Sequence, residues 1–102
     1  MLTVIETPIF RRQADEVWDD DERELFIDWI AVRPDAGVVI PGASGLRKVR
    51  WRRGGKGRRG GVRVIYLRRP LEGRVILLAA YAKSERDDLS EAFLNELPRR
   101  LT

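Results

Sequence analysis

The chain has 102 residues, the size of one ordinary domain, with a formal net charge of +4 and neither cysteine nor histidine. The absence of cysteine excludes a disulfide scaffold, a thiol nucleophile and a thiolate metal site. The absence of histidine removes the commonest general base and metal ligand, so any catalysis must use Lys, Arg, Tyr or carboxylate groups. We expect no metal site and no cofactor.

The N-terminal third predicts a short strand followed by two helices. Residues 2–6 form a β-prone run, and Thr7 offers an N-cap directly before a proline, which favours the first position of a helix. Apolar residues then recur at helical spacing until the acidic run 19–21, which suits the positive end of a second helix. Pro34 and Gly37 predict the end of that helix.

The two helices are expected to form an antiparallel hairpin that covers one face of a sheet. Trp18, Phe26 and Trp29 lie at helical spacing with other apolar residues, which indicates core packing and not a base-stacking platform.

The pattern then changes to β-like runs separated by glycine, which predict an antiparallel meander. Residues 74–82 are apolar on both alternating sets, with Val75, Leu77 and Ala79 on one face, as expected for a central strand. A turn near Gly73 should pair this strand with residues 62–67 as a hairpin. The predicted strands of the meander are residues 38–40, 46–51, 62–67 and 74–82.

Residues 84–98 combine an N-capping pattern with an apolar stripe, which predicts a final helix. The sequence therefore predicts a single α+β domain over residues 1–102. We expect an N-terminal helical hairpin packed on a twisted, mainly antiparallel four-stranded sheet, plus the C-terminal helix. The first residues lack the pattern of a secretory signal, and no run of about 18 apolar residues occurs. We therefore expect a cytoplasmic protein that does not contact a membrane.

Charge is distributed unevenly along the chain. Residues 36–71 hold eleven of the 20 Lys and Arg residues and none of the 16 Asp and Glu residues. Such a stripe produces the positive potential that attracts phosphate groups, whereas a solvated protein face normally mixes both signs. A loop kept soluble by arginine is the alternative interpretation. The stripe favours a nucleic-acid ligand.

The centre of this stripe is the glycine-rich, wholly basic connection at residues 52–61. Glycine allows the backbone to pass close to a phosphate chain, and Lys and Arg supply charge-assisted contacts. The connection lacks the spacing of a nucleotide-binding P-loop and joins a strand to a strand, so nucleotide hydrolysis is not expected.

Three blocks of this sequence resemble, in order and spacing, the HigB-type branch of the RelE toxin family. They are residues 42–50 (GASGLRKVR), 55–66 (GKGRRGGVRVIY) and 77–85 (LLAAYAKSE), and the predicted first strand and helical hairpin also fit that family. The resemblance implies the RelE fold. It also implies a toxin of a type II toxin–antitoxin pair, an endoribonuclease that enters the ribosomal A site and cuts messenger RNA there.

The resemblance further implies the partners. These are the ribosome, messenger RNA and a HigA-type antitoxin with a helix-turn-helix part, through which the complex would bind operator DNA indirectly. Charge adds that an acidic segment of the antitoxin should cover or distort the basic surface.

Cleavage by attack of a 2′-hydroxyl needs help in removing a proton, cations around the phosphorane and a donor for the leaving oxygen. Arginine stays protonated, so Arg47, Arg58 and Arg63 are candidate transition-state clamps. Lysine is more adjustable when other cations surround it, which makes Lys56 and Lys83 candidates for acid or base work.

The remaining candidates position RNA. Tyr81 lies two residues before Lys83, so if the strand extends through both they share a face, and Tyr81 could stack on a base, donate its hydroxyl or simply pack in the core. Other basic residues are expected to contact the RNA backbone without reading its bases. These are Lys48, Arg50, Arg52, Arg53 and Arg59.

Two other classes of function remain open. The ParE branch shares the fold but poisons DNA gyrase, which would make the protein an interaction module without a catalytic site. A passive RNA-binding domain would need only the basic stripe.

Overall fold

The computed structural model describes residues 1–51 and 61–83. Strand β1 (Thr3–Glu6) leads into helices α1 (Pro8–Val17) and α2 (Asp20–Val32). Four more strands follow in the chain, with a 3-10 turn (Pro70–Glu72) between the last two. They are β2 (Val38–Val39), β3 (Arg47–Trp51), β4 (Val62–Arg69) and β5 (Arg74–Ala82).

Capping groups define where the two helices begin. The Thr7 side chain accepts a hydrogen bond from the Phe10 N–H at the start of α1, as predicted. Asp19 and Glu22 form a reciprocal capping box at the start of α2, and acidic side chains occupy its first turn. The helical hairpin and its division at the acidic run are confirmed.

The sheet has five strands in the order β1-β5-β4-β3-β2. The predicted number of four was wrong by one, because β1 joins the sheet by pairing in parallel with β5, while the other neighbours pair antiparallel. The α+β class, the mainly antiparallel sheet, the β4–β5 hairpin and the central place of β5 are confirmed. The predicted C-terminal helix lies outside the described residues.

The two faces of the sheet bury separate apolar clusters. The helices pack on one face, which we call the helix face, where Phe10, Phe26 and Ile30 meet Val64 and other strand residues. The opposite face carries a second buried cluster. Its largest members are Leu46, Ile65, Leu67, Ile76, Leu78 and Tyr81.

A β-bulge in β5 decides which face its last residues occupy. The pairing shifts between Ile65 and Tyr66, so that Leu78 and Ala79 both belong to the opposite face and Ala80 returns to the helix face. The predicted strict alternation, which placed Ala79 with Val75, was therefore wrong beyond Leu78.

Candidate nucleic-acid interface

Three candidate residues lie in one row across neighbouring strands. Arg50 of β3 is directly opposite Arg63 of β4, and Arg63 is directly opposite Tyr81 of β5. Directly opposite residues of antiparallel strands project from the same face, with Cβ atoms roughly 4.5–5.5 Å apart. The row, which we call the cationic row, lies on the face opposite the helices, because Tyr81 belongs to that face's cluster.

Burial changes along the cationic row. Arg50 is exposed, whereas Arg63 and Tyr81 each keep only 8% of their surface accessible. Arginine retains its charge in proteins, so Arg63 brings a fixed positive charge to a sheltered position beside an aromatic ring. Electrostatic attraction is stronger there than in bulk water. The arrangement is suited to holding a phosphate against the sheet.

Lys83 lies at the same end of the sheet as the row. It follows the last residue of β5, is exposed, and donates its backbone N–H to the Gly61 carbonyl oxygen at 3.2 Å. Gly61 is two residues before Arg63 in the chain, so this bond places the Lys83 backbone next to the start of β4. Because β5 ends at Ala82, Lys83 is a turn residue and does not extend the strand face of Tyr81.

Lys48 extends the cationic surface along β3. It is directly opposite Ile65, which belongs to the same face as Tyr81. Lys48, Arg50 and Arg63 all line an open groove of about 410 Å³ beside β3. The other residues lining this groove are Trp29, Ala36, Val38 and Val49.

Arg47 is placed apart from the other candidates. It is directly opposite Tyr66, which belongs to the helix-face cluster, and its guanidinium donates to the Gly37 carbonyl oxygen at 2.8 Å. This bond ties the start of β3 to the connection between α2 and β2. The structure therefore gives Arg47 a structural contact on the face that the cationic row does not occupy.

The other candidates fall in the glycine-rich connection, outside the described residues. They are Lys56 and Arg58 among the predicted catalytic residues, and Arg52, Arg53 and Arg59 among the predicted RNA contacts. The flanking residues Trp51 and Gly61 are described, and both lie at the end of the sheet that holds the cationic row.

Sequence reasoning missed the position of Trp29. Its helical spacing correctly indicated packing against Phe26, but the side chain is only half-buried and also lines the groove beside Arg50 and Arg63. The one local indication is Arg33, four residues later, whose guanidinium lies over the Trp29 ring at 5.8 Å from its centre.

No protein-family model matches this sequence. The structure is similar to that of the E. coli toxin RelE in its free state, in a mutant with two arginines replaced by alanine. The TM-score is 0.62 and the sequence identity 10%, over 99% of this chain and 98% of that chain. This chain has the RelE toxin fold. At 10% identity this similarity shows the fold and assigns no role to any side chain. The roles of side chains are inferred from the residues of this chain alone.

Two features are absent from the described residues. Within residues 1–51 and 61–83, no helix is long and apolar enough to cross a membrane. The same residues contain no group of three or more acidic side chains placed to hold a metal ion.

Proposed function

We propose that this protein is the toxin of a type II toxin–antitoxin pair and acts as a ribosome-dependent endoribonuclease of the HigB type. It would cut messenger RNA in the A site and so inhibit translation in the cytoplasm. The observation that supports this most directly is the cationic row on a RelE-like sheet. Arg50, Arg63 and Tyr81 are in register at the end of the sheet where the Lys83 backbone N–H bonds to the Gly61 carbonyl oxygen.

The reaction would be an attack of the ribose 2′-oxygen on the adjacent phosphorus. The bond from phosphorus to the 5′-oxygen breaks, giving a 2′,3′-cyclic phosphate and a free 5′-hydroxyl. Arg63 would stabilise the extra negative charge of the phosphorane, since preorganised cations act most strongly where charge develops. Arg58 would share this role from the glycine-rich connection.

Proton transfer is assigned to lysine. Lys83 and Lys56 would remove the 2′-hydroxyl proton and return a proton to the leaving 5′-oxygen, because arginine is a poor proton-transfer group. Tyr81 would stack on a base or donate its hydroxyl from its place beside Arg63. The exposed Arg50 and half-buried Lys48 would contact the RNA backbone.

The proposed partners rest on the charge of this surface and on the resemblance to HigB-type toxins. We propose that a HigA-type antitoxin inhibits the protein by covering the cationic row with an acidic segment. Its helix-turn-helix part would link the complex to operator DNA. The ribosome would supply the geometry that selects the cleaved codon.

Brief induction followed by mapping of new 5′ ends on messenger RNA, with and without ribosomes, tests the nuclease proposal. We expect ribosome-dependent cuts within coding frames. Arg63→Ala should reduce cutting about 100-fold or more, and Lys83→Ala should reduce it by a similar factor. Arg69→Ala, at the far end of the same strand, is the matched control and should cut normally.

Because Arg63 is buried, urea unfolding must show that its variants are folded. Arg63→Lys is a second variant, which keeps the positive charge but loses the planar guanidinium group. If induction arrests replication and supercoiling while transcripts stay intact, the nuclease proposal is wrong and a gyrase poison is favoured. Full toxicity in the folded Arg63→Ala, Lys83→Ala double variant would indicate passive RNA binding.

A further inference from the structure

The groove beside β3 has walls of two chemical kinds. It lies past the end of β2, which pairs with β3 only at Arg47 and Lys48. Lys48, Arg50 and Arg63 contribute the cationic part of its lining, and Trp29 and Val38 contribute the apolar part, which we call the apolar wall. Its volume of about 410 Å³ is within the range of small-molecule sites, roughly 300–1,000 Å³.

The apolar wall is held firmly in place. The Trp29 ring centre lies 5.2 Å from that of Trp51 and 6.1 Å from that of Phe26, both of which are buried in the helix-face cluster. The guanidinium of Arg33 lies over the same ring at 5.8 Å from its centre. A ring fixed on these sides loses little freedom when a ligand contacts it, which favours binding.

We propose that this groove binds one nucleotide of the RNA, with the base against Trp29 and Val38 and the phosphate against Lys48 and Arg50. Arg63 lines this groove and is also a member of the cationic row. The bound nucleotide would therefore be next to the scissile phosphate. The inference rests on the proposed function and adds to it a base-contacting subsite. Trp29 would then influence which base is preferred at that position.

The size and walls of the groove favour a nucleotide over a peptide partner. A nucleotide carries a flat aromatic ring and an anionic phosphate on one small framework, which matches a lining that combines an aromatic ring with cations. A peptide that added a strand to this edge would need a longer run of backbone than the two residues of β2, Val38 and Val39, provide.

Equilibrium dialysis of the whole purified protein with AMP, UMP and inorganic phosphate tests the subsite. We expect nucleotides to bind at least about five-fold more tightly than phosphate, since contact of a base with an aromatic side chain is worth about 1 kcal/mol or more. Trp29→Leu, which removes the aromatic ring and keeps an apolar side chain, should weaken AMP binding by a similar factor and leave phosphate binding unchanged. Lys48→Ala should weaken both.

The matched control is Trp18→Phe, which changes a fully buried tryptophan of the same hairpin. AMP should quench tryptophan emission in the wild type and in Trp18→Phe, but much less in Trp29→Phe. A folded Trp29→Leu variant with wild-type AMP affinity would overturn the subsite. So would an acidic decapeptide that binds more tightly than AMP and competes with phosphate, since the groove would then be a protein-docking site.

The two proposals fail separately. If induced protein cuts transcripts but AMP affinity does not depend on Trp29, the subsite is wrong and the nuclease stands. If AMP binds through Trp29 but transcripts stay whole, the nuclease is wrong and the groove is the nucleotide site of an RNA-binding protein. If both proposals are right, the 5′-end maps of Trp29→Phe should show a changed base preference while total cutting is retained.

Discussion

Tyr66 connects the centre of the sheet to the segment between α2 and β2. Its hydroxyl donates to the Pro34 carbonyl oxygen at 2.8 Å and accepts from the Gly37 N–H at 2.9 Å. Gly37 has no room for a side chain, because a Cβ there would lie 2.8 Å from the Tyr66 hydroxyl oxygen and 2.8 Å from the Lys48 carbonyl oxygen. The contact fixes the path of the chain into β2 and hence one side of the groove.

The titration of Tyr66 should make stability depend on pH. Burial raises the pKa of Tyr66 above its ordinary value near 10, and this outweighs the Gly37 hydrogen bond and the Arg47 charge, which lower it. The unfolded chain therefore ionises first as pH rises past about 10. Stability from this group is full below pH 10 and falls above it.

We expect Tyr66→Phe to cost about 1–3 kcal/mol at pH 7, because two buried hydrogen bonds to the backbone are lost. The variant should also lose less stability than the wild type between about pH 9 and pH 11, roughly one unit on either side of the ordinary tyrosine pKa. Urea unfolding at several pH values measures both. Parallel pH profiles for the two proteins would contradict the assignment.

The junction between β1 and α1 depends on one buried hydroxyl. Thr7 donates its side-chain O–H and its backbone N–H to the Leu77 carbonyl oxygen, at 2.8 and 3.2 Å, while its side-chain oxygen caps α1. Leu77 is also the last residue of β5 that pairs with β1. One threonine therefore ends the parallel strand pair and begins the helix.

Thr7→Val keeps the shape of this side chain and removes its hydroxyl. We expect a loss of about 1–2 kcal/mol in the free energy of unfolding, with much of it recovered in Thr7→Ser. Thr3→Val, an exposed threonine of the same segment, is the control and should change stability by less than about 0.5 kcal/mol. Equal effects of Thr7→Val and Thr3→Val in urea unfolding would show that the cap does not stabilise the junction.

The β-bulge in β5 is the element that aligns the candidate site. Leu77 faces the helices, and without an irregularity Tyr81, four residues later, would do so too. The bulge at Leu78 and Ala79 exchanges the faces from which the following residues project, so Tyr81 projects beside Arg63 on the opposite face. A one-residue irregularity thus brings an aromatic ring into the cationic row.

For the whole molecule, the fold separates an acidic helix start from a cationic part of the sheet. The helix face is covered by α2, whose first turn is acidic, whereas the charged residues of β3 and β4 are all basic. Lys48, Arg50 and Arg63 project away from the helices. Such polarity orients a polyanion toward one side of the protein before contact.

This polarity predicts a specific dependence on salt. Binding of an uncleavable single-stranded RNA should weaken as salt rises, with a log–log slope of about −0.7 for each phosphate neutralised. Lys48→Ala should make the slope shallower by about 0.7. Arg11→Ala, an exposed arginine of α1, should leave it unchanged. Filter binding at several salt concentrations measures the slopes, and equal changes in the two variants would contradict an oriented RNA-binding side.

The sequence by itself determined the elements whose causes are local. The N-cap at Thr7, the capping box at Asp19 and the apolar run at β5 are contained within a few residues, so the helix starts and the central strand could be predicted. The basic stripe likewise supplied Lys48, Arg50 and Arg63 as candidates, and their role in a site stays a prediction. Predicted ranges differ from the observed strands by at most two residues at an end, as in β4, which extends to Arg69.

Only the tertiary structure decided how these elements meet. The parallel pairing of Thr3 with Arg74 joins residues more than seventy positions apart. The bulge of β5 lies in its pairing with β4, and the groove brings Trp29 of a helix to Arg50 of a strand. No local pattern encodes such contacts, because their free energy comes from burying surfaces that are distant in sequence. The position of Arg47 on the helix face follows from the same cause, since strand register is set by the packed core.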